Sequence, residues 1–131
     1  MDELKRTSPF VNDPFLLVWQ AFKNLYPDKG CVCHFDVIEN KEDGTEVFGE
    51  TCFQEDGSVL VFVNAELKIP DAVEIFAHEL AHVAVGNDEG HGKAWEEAFD
   101  SIFKEYNRIG YEFFDKHDTV ECLDGKQCVV T

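Results

Sequence analysis

Positive charge is what this chain is short of. Its 131 residues carry 11 Lys and Arg against 27 Asp and Glu, a formal net charge of −16. The basic residues are scattered and never cluster in sequence. A surface that grips a nucleic-acid backbone needs a cationic stripe. The composition therefore opposes direct nucleic-acid binding; it either favours a basic protein or peptide partner or serves only to keep the chain soluble. Long apolar runs are also missing: none approaches the roughly 20 residues that cross a bilayer. The opening MDELKRTSPF has no apolar segment of a secretory signal. These absences predict a soluble, cytoplasmic protein with no membrane partner.

Cysteine is present but odd in number, at five, so at least one thiol stays unpaired and reduced thiols are expected. Cys31 and Cys33 form a C-x-C, Cys122 and Cys128 have five residues between them, and Cys52 stands alone. No C-x-x-C zinc knuckle can be built from these spacings. Repeats, low-complexity tracts and linkers are absent, which predicts one domain over 1–131. With 44% hydrophobic residues and 12 Phe, the chain has enough apolar material for a core.

The elements can be read from local signals. Asn12-Asp13-Pro14 starts a helix, with a capping side chain followed by a proline whose missing N–H costs nothing there. Phe15, Val18, Trp19, Phe22, Leu25 and Tyr26 then recur at helical spacing until Pro27 and Gly30 end the element. Three strands are expected next: 31–38, 46–54 and 58–64. The turns between them are Lys41–Gly44 and Asp56-Gly57. The third strand, with VLVFV in its middle, suits a buried position. Pro70-Asp71 opens a second helix that runs to about Val85, where Gly86 caps it. A third helix spans 92–108, and a terminal hairpin around Asp124-Gly125 is expected in 119–131. The order predicts an α+β domain: an N-terminal helix, a three-stranded antiparallel meander and two further helices.

Three of the five histidines fall within HELAHVAVGNDEGH, residues 78–91. His78 and His82 stack one turn apart, nearly opposite the stripe of Val73, Phe76, Ala77, Leu80 and Ala84. Ile75 and Val85 flank them, so the histidine face is expected to be covered too. Two imidazoles so placed can grip one metal ion. Glu79, beside His78 at the rim of that seam, projects too far round the helix to be a ligand. It can reach a water bound to the metal, the division of labour of H-E-x-x-H zinc hydrolases.

The third ligand decides the type of site. Six residues after His82, where metzincins place it, stands Asp88 instead. Glu96 or Glu97 could serve as a glutamate from the next helix. An upstream cysteine, as in peptide deformylase, would have to be Cys33, but the Glu-Gly-Cys segment of that family is absent. His91 fits best. It follows a turn long enough to reverse the chain, and it precedes Trp95 by four residues, on the inward face of the third helix. Three neutral imidazoles plus a water make an open zinc site of the catalytic type. His34 and His117 have no such support.

With HELAH at His78–His82, the later His91-Gly92 and the aromatic Trp95, the chain resembles the SprT-like family of small zincin peptidases, the group that includes Spartan. The run VFVNAELKIPDAVEIFAHELAH has that family's strand-to-helix layout, and the likeness covers about Ser58 to Tyr106. The resemblance implies a zincin-like minimal metallopeptidase fold, one catalytic Zn2+ and hydrolysis of peptide bonds in protein substrates. In several relatives it also implies action on DNA-attached proteins. The family's C-terminal zinc ribbon is not present here, and the acidity departs from the DNA engagement of those relatives.

On this reading zinc acidifies the water, Glu79 accepts its proton, and an additional oxyanion donor is needed. Tyr106, Tyr111 and His117 are candidates by residue type only. The rival expectation is a non-catalytic acidic module in which zinc is scaffold and the surface sequesters a basic or nucleic-acid-binding partner.

Overall fold

The computed structural model describes residues 8–87 and 90–117, with side chains through 112. The first helix, α1 (Pro14–Leu25), begins as its sequence dictates: Asp13 Oδ1 accepts the Phe15 and Leu16 N–H groups at 3.0 and 3.1 Å, and Pro14 occupies the first turn. Its stripe buries Val18 and Phe22 completely. Phe15, Trp19 and Tyr26 pack at the margin, and Leu25 stays exposed.

The sheet consists of β1 (Val32–Asp36), β2 (Gly49–Phe53) and β3 (Val59–Asn64) in the order β1-β3-β2. The hairpin between β2 and β3 forms at Asp56-Gly57, where Asp56 Oδ1 accepts the Ser58 N–H and Gly57 adopts φ 91°. The expected antiparallel meander is corrected at β1, which pairs with β3 in parallel, from Val32 opposite Leu60 to Asp36 opposite Asn64. The sheet is therefore mixed.

Two physical causes account for this. The Lys41–Gly44 turn forms, with Gly44 N donating to Lys41 O at 2.8 Å, but it lies inside a long connection between β1 and β2 that imposes no hairpin register. The strand that is apolar on both faces, β3, then takes the centre, where it satisfies its backbone on both sides. Buried Asn64 anchors the connection: its Nδ2 donates to Val47 O at 2.8 Å and its backbone N to Phe48 O at 2.9 Å.

The second helix, α2 (Ile69–Val85), packs on β3, β2, α1 and the third helix, α3 (Lys93–His117). It buries Val73, Phe76, Ala77 and Leu80 as expected, and also Ala72, Ala81 and Val83. Burial of a side chain such as Leu80 is worth about 1.5–3 kcal/mol. Gly86, at φ 94°, ends α2 with its N–H on His82 O. The third helix is longer than its stripe suggests and lies along α1, where Asn24 Nδ2 donates to Glu105 Oε2 at 2.9 Å. The expected 119–131 hairpin, with Cys122 and Cys128, lies outside the described residues. No helix among the described residues is long and apolar enough to cross a membrane.

Candidate metal centre

Two helices and the turn between them build the centre. α2 presents His78 and His82 one turn apart, with ring centroids 5.1 Å from each other. Gly86 breaks the helix, Gly90 turns the chain at φ 55°, and His91 arrives just before α3. Glu96 N donates to Gly92 O at 3.0 Å, so α3 starts with His91 held at its mouth. The Nε2 atom of His91 then lies 3.1 Å from Nε2 of His78 and 3.1 Å from Nε2 of His82.

That spacing is unusual for imidazoles alone. A neutral Nε2 offers either one proton or one lone pair, so His91 cannot make two well-formed hydrogen bonds at once. A central cation resolves the conflict. Tetrahedral ligation at about 2.0–2.1 Å places imidazole nitrogens roughly 3.3–3.4 Å apart, close to the two separations that involve His91. The three ligand atoms all lie within 4.8 Å of one another, and the three side chains can jointly hold a metal ion. Burial pushes the pKa of His78 down to about 4, with the neighbouring His82 and His91 adding to the effect, and His82 is lowered by burial and by His91. Both rings are therefore neutral near pH 7, the form that ligates metals.

Trp95, in the first turn of α3, walls the site. Its ring lies 4.6 Å from His78, 5.5 Å from His82 and 4.8 Å from His91 between centroids, and its Nε1 donates to His78 O at 3.1 Å. Phe99 stacks behind it at 5.3 Å and 7°. The indole thus fixes the backbone that carries the first ligand and covers one side of the triad.

Glu79 is more enclosed than a rim position implies: it is only 5% exposed. Its carboxylate lies against the edge strand β2, where Thr51 Oγ1 donates to Oε1 at 2.5 Å and also approaches Glu79 O at 3.3 Å. Gly49, two residues earlier on the same strand, sits so close that a Cβ there would meet Ile75 Cγ2 at 2.7 Å and Glu79 Oε2 at 2.9 Å. Burial raises the pKa of Glu79, the Thr51 hydrogen bond opposes the shift, and Glu50 adds to it. Thr51 and Gly49 lie outside the H-E-x-x-H motif; the signal for them is a glycine inside a strand, which often marks a close backbone approach.

The other candidates are not brought in. Among the described residues neither Glu96, Glu97 nor Cys33 joins the triad. His34 lies on β1 and stacks on Phe62 at 5.3 Å. Tyr106 is partly buried beside Phe103, and Tyr111 is 75% exposed. Both lie roughly 20 Å or more along α3 from its start, out of reach of the triad as oxyanion donors. The His117 side chain and Asp88 are outside the described residues.

Fold and site together define a small α+β protein with a three-histidine cluster able to hold a metal. Comparison with family models, curated proteins and solved structures found no match.

Proposed function

We propose that this protein is a zinc-dependent metallopeptidase that hydrolyses peptide bonds of protein substrates, with Glu79 as general base. One observation carries the reading: His91 Nε2 lies 3.1 Å from Nε2 of both His78 and His82, a trio able to hold one metal ion, and the residue next to His78 on the same helix is a buried glutamate. Three nitrogen ligands leave a tetrahedral ion one position short, as catalytic zinc sites require. The likeness of HELAH and His91-Gly92 to SprT-like peptidases supports the same chemistry.

A zinc ion held there supplies Lewis acidity, polarising a carbonyl and bringing the pKa of water towards about 7. The protein's own residues do the rest. His78, His82 and His91 bind, and Trp95 excludes water from one side. Thr51 occupies Glu79 Oε1, which leaves Oε2 to accept the proton of the attacking water and return it to the leaving amine. The raised pKa of Glu79 brings its basicity closer to working pH. β2 is an edge strand among the described residues and lies against this carboxylate, so its outer edge suits an extended peptide that adds as a further strand. Exposed Glu50 on β2 and the net charge of −16 favour basic sequences.

The test is cleavage of unfolded basic proteins, and of proteins bound to DNA, by zinc-loaded wild type and Glu79→Gln. New N-termini should accumulate with wild type and fall by roughly 10²–10⁴-fold in the variant. If wild type holds zinc and cuts none of them, the acidic binding module that sequesters a basic partner is the better description.

A further inference from the structure

The opposite edge of the sheet carries a second cluster of reactive groups. Cys31 lies just before β1 and Cys33 within it, and their Sγ atoms are 3.6 Å apart. Both are free, Cys33 in an exposed residue and Cys31 in a half-buried one. They border a cavity of about 370 Å³ whose apolar wall includes Phe15, Trp19 and Phe76. Lys23 reaches over the loop that leads into Cys31, with Nζ donating to Pro27 O at 3.0 Å and Lys29 O at 2.5 Å. The two thiols are not equivalent. The hydrogen bond shared with Cys33 pushes the Cys31 thiol down, and the Lys23 charge acts in the same direction against burial. The same bond pushes Cys33 up. Cys31 is therefore the thiol of the pair shifted towards the thiolate form.

We propose that Cys31 and Cys33 form a reversible dithiol–disulfide site that reacts with low-molecular-weight disulfides of the glutathione type. The Cys31 thiolate attacks one sulfur of the small disulfide. The S–S bond breaks, one thiolate leaves with the electron pair, and Cys31 carries a mixed disulfide. The Cys33 thiol gives up its proton to the departing thiolate and attacks Cys31 Sγ, expelling the second small thiolate, which takes a proton from water. The dithiol loses two electrons, and one small disulfide becomes two small thiols. Ring closure needs the sulfurs to move from 3.6 Å to about 2.05 Å. The Cys31 backbone is outside the ladder with β3, which begins one residue later, at Val32. Cys52 makes the contrast: it sits on β2, and burial raises its thiol pKa, with Glu50 and Glu79 adding to the shift. The site is separate from the histidine cluster and independent of the peptidase reading.

Trypsin isolates the pair, because Lys29 and Lys41 bracket a peptide, 30–41, that holds Cys31 and Cys33 and no other cysteine. The full chain is treated with oxidised glutathione, the remaining thiols are blocked, and the peptides are weighed. Peptide 30–41 should lose two hydrogens, recover them with a reductant, and react at least ~10-fold faster than Cys52. Cys33→Ser should stop at a glutathione adduct on Cys31, and Cys31→Ser should react at least ~10-fold more slowly than wild type. Adducts on both cysteines without ring closure, a peptide that stays a dithiol, or Cys31→Ser reacting as fast as wild type would overturn the proposal.

Discussion

Replacing Gly49 by Ala is the sharpest single perturbation of the site's scaffold. The added Cβ would stand 2.7 Å from Ile75 Cγ2, 2.9 Å from Glu79 Oε2 and 3.1 Å from Glu79 Cγ. Normal carbon contacts are about 3.5–4.0 Å, so the strand or the helix face must move by the better part of an ångström. Overpacking of this kind costs about 1–3 kcal/mol. At roughly 4 °C per kcal/mol for a domain of this size, the midpoint should fall by about 4–12 °C. Relief by rotating Glu79 would break its bond to Thr51 Oγ1, so peptide hydrolysis should fall further than stability alone explains. Zinc content should hold, because the clash falls on Ile75 and Glu79 and not on His78, His82 or His91.

Thermal unfolding with metal analysis reads both effects. Ile75→Ala removes the nearest clashing atom, so it should cost less in the Gly49→Ala background than in wild type. A Gly49→Ala protein that melts like wild type, or a cycle with no coupling between the two positions, would refute the packing of β2 against α2 described here.

Leu80 is fully buried, and Leu80→Ala should destabilise by about 2–5 kcal/mol in denaturant titration. Trp95→Ala removes both the wall and the bond to His78 O and should weaken zinc affinity by about 10–100-fold in a competition assay, the range for outer-shell partners. The pH dependence of the metal-free protein has a defined sign. The folded pKa of His78 is about 4, against 6.5 for the unperturbed group, so the unfolded chain binds the proton first. Its contribution is intact above about pH 6.5 and is lost as pH falls towards 4. Partial exposure discounts it to roughly 1–3 kcal/mol. Thermal melts from pH 7 to 4 should show this decline, with a shallower one in His78→Asn.

What could be read from the sequence was local. The Asp13-Pro14 start of α1, the Asp56-Gly57 hairpin, the Gly86 end of α2 and the i, i+4 histidine pair each depend on neighbours a few residues away. The pairing of β1 was not legible, because it depends on which strand tolerates burial on both faces, a competition settled across the sheet. The reach of α3 to His117 exceeds its apolar stripe for a related reason: ion pairs such as Arg108 with Glu105 at 2.8 Å and Glu112 at 3.0 Å extend it. His91 could be anticipated from its spacing to Trp95. The burial of Glu79 could not, because it depends on Gly49 and Thr51, some thirty residues upstream.

The central claim is that His78, His82 and His91 hold a single zinc ion. It is tested most directly by zinc content after equilibrium dialysis of wild type, Glu79→Gln and His91→Ala side by side. The account predicts one zinc per chain in wild type and Glu79→Gln, and a sharp loss in His91→Ala. A wild type without zinc would contradict it. So would a His91→Ala protein that keeps its zinc while Glu96 or Glu97 becomes essential.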